Sequence, residues 1–388
     1  MKKLSLLVLS LTMLLAAASC SKVENASGME GFTGIQTEAG DSAPAGTKLL
    51  ILNEGAFPGK STLDVLNFSD GKLYADVFAQ ANPTVTEGLG NTGNDMEVIG
   101  NTIWILMNAS NQVVILNAFN YKHIATIDID SPRSIVSDGS YAYITSYGGA
   151  TYGSAVPVLG MLYRISTSDY HDFTSLPVGY QPEGLAILDG KLYVANSGGY
   201  NAVHDNTVSV IDLATFEPEK SIELPVTNLN MVRAASGKIW VSTYGESTWS
   251  QDGDNWIQKV SAPMSLVSVS PDGTSKIISG VHADKITASD GIIYAIGNDK
   301  EMDGGYDTCL YKVNSTSSKV ETIHFSGTDL ARIGYPYCIL VNPDNGEIII
   351  ADASFTGDST LWCFTKDYKY KWSVTTGVGT GHLLMYRM

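Results

Sequence analysis

Basic residues are scarce in this chain of 388 residues: 24 Lys and Arg stand against 40 Asp and Glu, for a net charge of -16. Such a surface excludes nucleic acid as a partner, and it excludes charge-driven docking on anionic lipid. Cysteine is also sparse, with four in the chain. Cys309, Cys338 and Cys363 match no metal-ligand spacing and lie in or beside apolar runs, so they read as small buried hydrophobes without an essential disulfide. Proline numbers 13, and hydrophobic residues make up 44% of the chain, which excludes collagen-like and disordered classes. The histidines form no close chelating pair, and there is no His-Glu-x-x-His, no Gly-x-Ser-x-Gly elbow and no phosphate-binding loop. Gly88 to Gly93 fits Gly-x-Gly-x-x-Gly by letter alone, because no strand-helix-strand unit surrounds it. Asp252, Asp254, Glu301, Asp303 and Asp307 lack the spacing of a calcium loop. The expectation is a protein that is not an enzyme, with no resident metal and no catalytic cofactor.

The front end is distinctive. Lys2 and Lys3 precede an apolar run from Leu4 to Leu15, then Ala16, Ala17, Ala18, Ser19 and Cys20. The run is too short to span a bilayer as a helix and reads as an export signal. Small residues followed at once by cysteine resemble a bacterial lipoprotein cleavage site. Residues 1–19 are therefore expected to be removed and Cys20 to be lipidated. Residues 20–46 are small and polar and read as a flexible tether. The membrane would then be touched only through the lipid anchor, and a single domain would occupy 47–388.

Within that domain a unit of about 40 to 55 residues repeats, the period of propeller blades. Its core reads Gly100-Asn-Thr-Ile-Trp-Ile-Leu-Met, Gly139-Ser-Tyr-Ala-Tyr-Ile-Thr-Ser, Gly190-Lys-Leu-Tyr-Val-Ala-Asn, Gly237-Lys-Ile-Trp-Val-Ser-Thr, Gly291-Ile-Ile-Tyr-Ala-Ile and Gly346-Glu-Ile-Ile-Ile-Ala-Asp. A seventh copy at Lys48-Leu-Leu-Ile-Leu-Asn lacks an innermost strand, which the C-terminal run His382-Leu-Leu-Met-Tyr would supply. The fold class is all-β: a seven-bladed β-propeller closed by a C-terminal strand that completes the N-terminal blade. Third strands are expected at Thr62, Gln112, Met161, Thr207, Trp256, Cys309 and Thr360, each opening a short run with β-branched or aromatic alternation.

In such a blade the turns from strand one to two and three to four lie on one face of the disc; the two-to-three loops and blade-to-blade links lie on the other. The first set is short, as at Asp189-Gly190, Ser236-Gly237, Asp290-Gly291 and Asn345-Gly346. The second set swells at Asn53 to Ser61, Tyr147 to Leu159, Ser197 to Asn206, Tyr244 to Asn255 and Asn298 to Asp307. Aromatic residues among amides and hydroxyls are typical of recognition surfaces. Candidate ligand contacts on this loop face are Asn53, Asn94, Asn108, Tyr147, Tyr152, Gln181, Asn196, Tyr200, His204, Tyr244, Trp249, Asn298, Tyr306, Asp352 and His382.

The segments Leu52-Asn-Glu-Gly, Gln80-Ala-Asn-Pro, Gly93-Asn-Asp, Tyr143-Ile-Thr-Ser-Tyr, Val178-Gly-Tyr-Gln-Pro-Glu, Tyr193-Val-Ala-Asn-Ser-Gly-Gly-Tyr, Asn206-Thr-Val-Ser-Val-Ile-Asp, Leu340-Val-Asn-Pro and Lys371-Trp-Ser-Val-Thr-Thr-Gly span nearly the whole domain. With them the chain resembles the YncE-like propeller lipoproteins of Bacteroidetes, and more narrowly the BtuG-type surface proteins. The resemblance implies capture of cobalamin or another corrinoid on the loop face and its delivery to a BtuB-like TonB-dependent transporter. It also implies an outer-membrane lipoprotein facing the cell exterior. The alternative is a propeller that meets a protein or a glycan with the same aromatics.

Overall fold

The computed structural model describes residues 29–40, 42–150, 156–252, 255–300 and 305–387. The signal residues and Cys20 lie outside this set. Seven antiparallel sheets are arranged as propeller blades, with innermost strands Gly93–Ile99, Pro132–Ser137, Pro182–Leu188, Leu229–Ala235, Ala283–Ser289, Pro336–Val341 and Thr380–Arg387. We number the blades 1 to 7 along the chain, blade 1 being the one that begins at Thr47. Its strand Thr47–Asn53 pairs with Thr380–Arg387, from Thr47 opposite Arg387 to Leu52 opposite His382. The expected closure by the C-terminus is thus present, and it hides the inner edge of the first blade.

Each blade is buried on both faces, which explains why the middle of its second strand runs apolar rather than alternating. In Thr102–Met107 of blade 2, Ile103, Ile105 and Met107 pack toward blade 1, whereas Trp104 and Leu106 pack toward blade 3. Seven hydrophobic clusters result, one at each junction between neighbouring blades. The short one-to-two turns also take the expected form. Asp189 and Gly190 (φ 51° and 74°), Ser236 and Gly237 (51° and 70°) and Asp290 and Gly291 (47° and 72°) all adopt left-handed backbone. Two successive positive φ values suit the twist of a two-residue hairpin.

Two expectations need correction. The stretch expected as tether is packed from Met29 onward. Ile35–Gln36 adds a fifth strand to blade 1 against Leu73 and Lys72, Met29 and Ala39 are buried, and Ser42 accepts hydrogen bonds from Asn342, Asn345 and Trp372 of blade 7. Any tether ends before Met29. In blade 5, the run beginning at Trp256 is not the third strand. It forms one arm of an inserted hairpin, Glu246–Asp252 with Asn255–Ala262, while the third strand is Leu266–Val269, buried throughout. Local alternation is the same in a projecting hairpin and in a blade strand; burial between blades distinguishes them. Among the described residues no helix is long and apolar enough to cross a membrane.

Candidate functional site at the mouth of the central funnel

Every innermost strand starts with an irregularity. In all seven blades the pairing to the second strand skips one or two residues just after the first paired residue. A bulge of this kind breaks the two-residue alternation and re-aims a side chain. The residues concerned are Asn94, Arg133, Glu183, Asn230, Asp284, Tyr337 and Gly381, and all seven line one central cavity of about 850 Å³. A single local device, repeated around the ring, gathers this set. At Gly381 a Cβ would lie 2.4 Å from Glu54 Oε1, so a side chain there would displace the Glu54 carboxylate.

The charges in the mouth are held in pairs. Arg133 makes a two-pronged contact with Glu183, Nε to Oε2 and Nη2 to Oε1, both at 3.0 Å. Its Nη1 donates to Asn94 Oδ1 at 2.9 Å, and its guanidinium lies 4.8 Å from the centre of the Tyr147 ring. The Tyr147 hydroxyl donates to Glu183, and Tyr200 stacks edge-on against Tyr147 at 5.0 Å. With side-chain exposures of 17% and 8%, Arg133 and Glu183 need each other. Beside this pair, His382 Nδ1 lies 3.0 Å from Asp95 Oδ1. Asp95 also accepts from Ser134 Oγ at 2.7 Å and from the Ile135 amide at 3.0 Å. Burial alone would raise the Asp95 carboxyl, but His382 and these donors hold it below the usual range. Ser134 is committed to Asp95, so its hydroxyl is not aligned on His382 as a nucleophile on a base would be.

Three residues farther along the strands the wall becomes mainly apolar, with Val136, Ala186, Leu340 and Leu384. Glu97 and Arg233 are set into it. Burial, reinforced by nearby Asp95 and opposed by His382 and Arg233, pushes the Glu97 carboxyl up to about 7. Glu54 is likewise raised by burial, against a hydrogen bond from Tyr337. Tyr337 stacks on Tyr335 with centroids 5.8 Å apart and meets Phe355 edge-on at 5.4 Å. Tyr335 and Tyr244 are 52% and 40% exposed at this rim.

Of the candidate contacts named from the sequence, Asn94, Tyr244 and His382 line the cavity. Others belong to the scaffold. Asn53 is buried, donates to Thr62 and Asp64 and accepts from Thr380; Asn196 is buried and donates to Thr207 and Ser209. Gln181 is buried and donates to the Val158 carbonyl. Asn108 donates to the Pro132 carbonyl, and Asn298 closes its own loop through Gly305 and Asp307. Asp352 accepts from the amides of Gly334 and Tyr335, and so positions Tyr335. Tyr147 and Tyr200 form the aromatic support behind Arg133, His204 pairs with Glu246 at 2.8 Å, and Tyr306 is exposed on its loop. Tyr152 and the Trp249 side chain lie outside the described residues.

Sequence reasoning missed Arg133, Glu183, Glu97, Arg233, Asp284, Lys285 and Tyr337, all of which line the cavity, although the blade-to-blade links that lead into their strands were expected on this face. Among them the fold assembles acid-base pairs such as Arg133 with Glu183 and Lys285 with Asp284. The available signal was alignment of the seven inner-strand starts, which puts all the bulge residues in one column. Elsewhere the fold brings Asp299, Cys309 and His324 together, a convergence that the histidine spacing did not reveal.

No protein-family profile and no curated protein matches the chain. Solved structures of similar fold include Kuenenia stuttgartiensis hydrazine synthase, with TM-score 0.54 and 14% identity over 76% of this chain and 95% of that one. Apo AztD from Citrobacter koseri gives TM-score 0.52 and 10% identity over 88% and 98%. A putative 6-phosphogluconolactonase from Bacteroides fragilis gives 0.55 and 10% over 87% and 98%. At such identities the likeness is one of fold.

Proposed function

We propose that this protein is a non-catalytic capture lipoprotein that holds a corrinoid over the mouth of the funnel and passes it to a TonB-dependent outer-membrane transporter. The observation that carries this reading is the bulge ring, which presents amide, guanidinium, carboxylate and phenol groups around one opening. A corrinoid is broad, rigid and rimmed with amides, so a ring of fixed donors and acceptors suits it. The partners within the ring are already bonded to one another, which limits the ordering cost of binding. Exposed aromatic Tyr244, Tyr335 and Phe355 beside the ring supply stiff apolar contact. The lipid on Cys20 would hold the domain at the outer membrane, facing outward.

A partner protein is favoured by a separate observation. Phe57, Val156, Val203 and Tyr306 are 79%, 69%, 82% and 67% exposed on loops of this same face, outside the cavity lining. Exposed apolar groups on one face mark a contact surface, and a BtuB-like barrel is the partner expected there. Calorimetric titration with cyanocobalamin tests the corrinoid reading. Tyr244→Ala and Tyr335→Ala should each weaken binding about tenfold or more without loss of fold. Absence of both heat and co-elution at micromolar concentration would leave the protein- or glycan-binding alternative in its place.

A further inference from the structure

At the loop-face end of blade 6, away from the funnel, a second set of side chains converges. Cys309 and His324 stand directly opposite each other on the third and fourth strands, so their side chains share one face of the sheet. Cys309 Sγ lies 3.3 Å from His324 Nδ1. Asp299 follows the second strand and brings a carboxylate to the same point; one ligand atom from each of Asp299, Cys309 and His324 lies within 4.8 Å of the others. Asp307, at the start of the third strand, adds an oxygen 3.2 Å from His324 Nδ1. Three consecutive strand ends therefore supply two carboxylates, an imidazole and a thiol.

Hydrogen bonding among these groups accounts for the arrangement poorly. His324 Nδ1 faces both the thiol and a carboxylate, the thiol has only a long contact of 3.5 Å to the Asp307 carbonyl, and the Lys300 ammonium, 3.9 Å from Asp307, is largely exposed. A cation would satisfy every one of them. In a tetrahedral zinc site with bonds of about 2.0 to 2.3 Å, neighbouring donors stand roughly 3.3 to 3.8 Å apart, close to the 3.3 Å and 3.2 Å that separate His324 Nδ1 from Cys309 and Asp307, while Asp299 lies within 4.8 Å. The sulfur is buried, while Asp299 and His324 are exposed, so an ion has a route in from solvent. Tyr311 donates to Asp299 Oδ1 at 3.3 Å and would orient that ligand from behind.

We infer that Asp299, Cys309 and His324 form a site for a divalent transition metal of the zinc type, with Asp307 as the fourth group. Thiolate and imidazole together select against calcium and magnesium. Binding displaces the Cys309 thiol proton to solvent, with no change of oxidation state. The bound ion would tie the ends of three strands together beside the exposed Tyr306.

The test is titration of the chelator-treated full chain with zinc, with cobalt(II) as a spectroscopic probe. The expected result is stoichiometric binding with a thiolate-to-cobalt charge-transfer band. The band should vanish in Cys309→Ser, and affinity should fall at least about tenfold in His324→Ala. Both should persist in Cys363→Ser and Cys20→Ser. His324 is exposed, so its variant remains informative even where a change at buried Cys309 disturbs folding. Absence of the band in the intact chain, or binding left unmoved by both site variants, would overturn the assignment.

Discussion

On one face of the disc, turns such as Asp189-Gly190 and Asp290-Gly291 reverse the chain in two residues of left-handed backbone. Among the described residues these turns expose one large apolar side chain, Phe119. On the other face the same blades carry long loops with Phe57, Val203, Tyr306 and Tyr335 exposed, and their inner strands begin with bulges that gather charge around the funnel. Ion pairs differ accordingly. Lys191 and Glu219, near the turn face, are each about one-third exposed, whereas Arg133 and Glu183 are almost closed off from water. Strands alone do not decide what a face can do; it depends on whether polar groups beside them are desolvated.

The largest expected effect breaks the loop-face pair. Arg133→Ala leaves Glu183 buried without its partner and should cost about 3 to 5 kcal/mol in urea unfolding at neutral pH; a loss under 1 kcal/mol would show that water reaches the site freely. A smaller effect comes from the waist. Glu97 ionises near 4.5 when unfolded and near 7 in the fold, so the folded chain holds an extra proton in that interval. Its contribution to stability is present below about 4.5 and is lost as pH rises through about 7. Glu97→Gln should remove this loss, with a gain over the parent of at most about 3 kcal/mol above pH 7 and none from this source near pH 4. Thermal unfolding at both pH values reads the difference; an equal gain at both would mean the carboxyl does not titrate there. Smallest of all, Lys191→Ala on the turn side, where water screens the pair with Glu219, should leave the thermal unfolding midpoint essentially unchanged.

The architecture was readable because its cause is local and repeated. A second strand buried on both sides must be apolar through its middle, and a two-residue turn needs residues such as Asp189 and Gly190 that tolerate positive φ, so each copy announces itself. The site was less readable. Asn53 and Asn196 lie on the expected face, but burial turns their amides inward to hold strands together. Arg133 and Glu183 look like ordinary surface charges because they are 50 positions apart, and nothing near either one names its partner. Trp256 misled for a related reason, since an exposed hairpin and a blade strand have the same alternation.

The sequence by itself determined the number of blades, the terminus that closes the ring and the face on which the loops lengthen. These follow from periodicity and turn chemistry, which act within a few residues. Only the tertiary structure decided that Met29 to Gly46 packs against the ring, that seven bulges turn one residue each into the funnel, and that Asp299, Cys309 and His324 meet. Those outcomes depend on which groups lose water together, and that is set by the distance between blades in space.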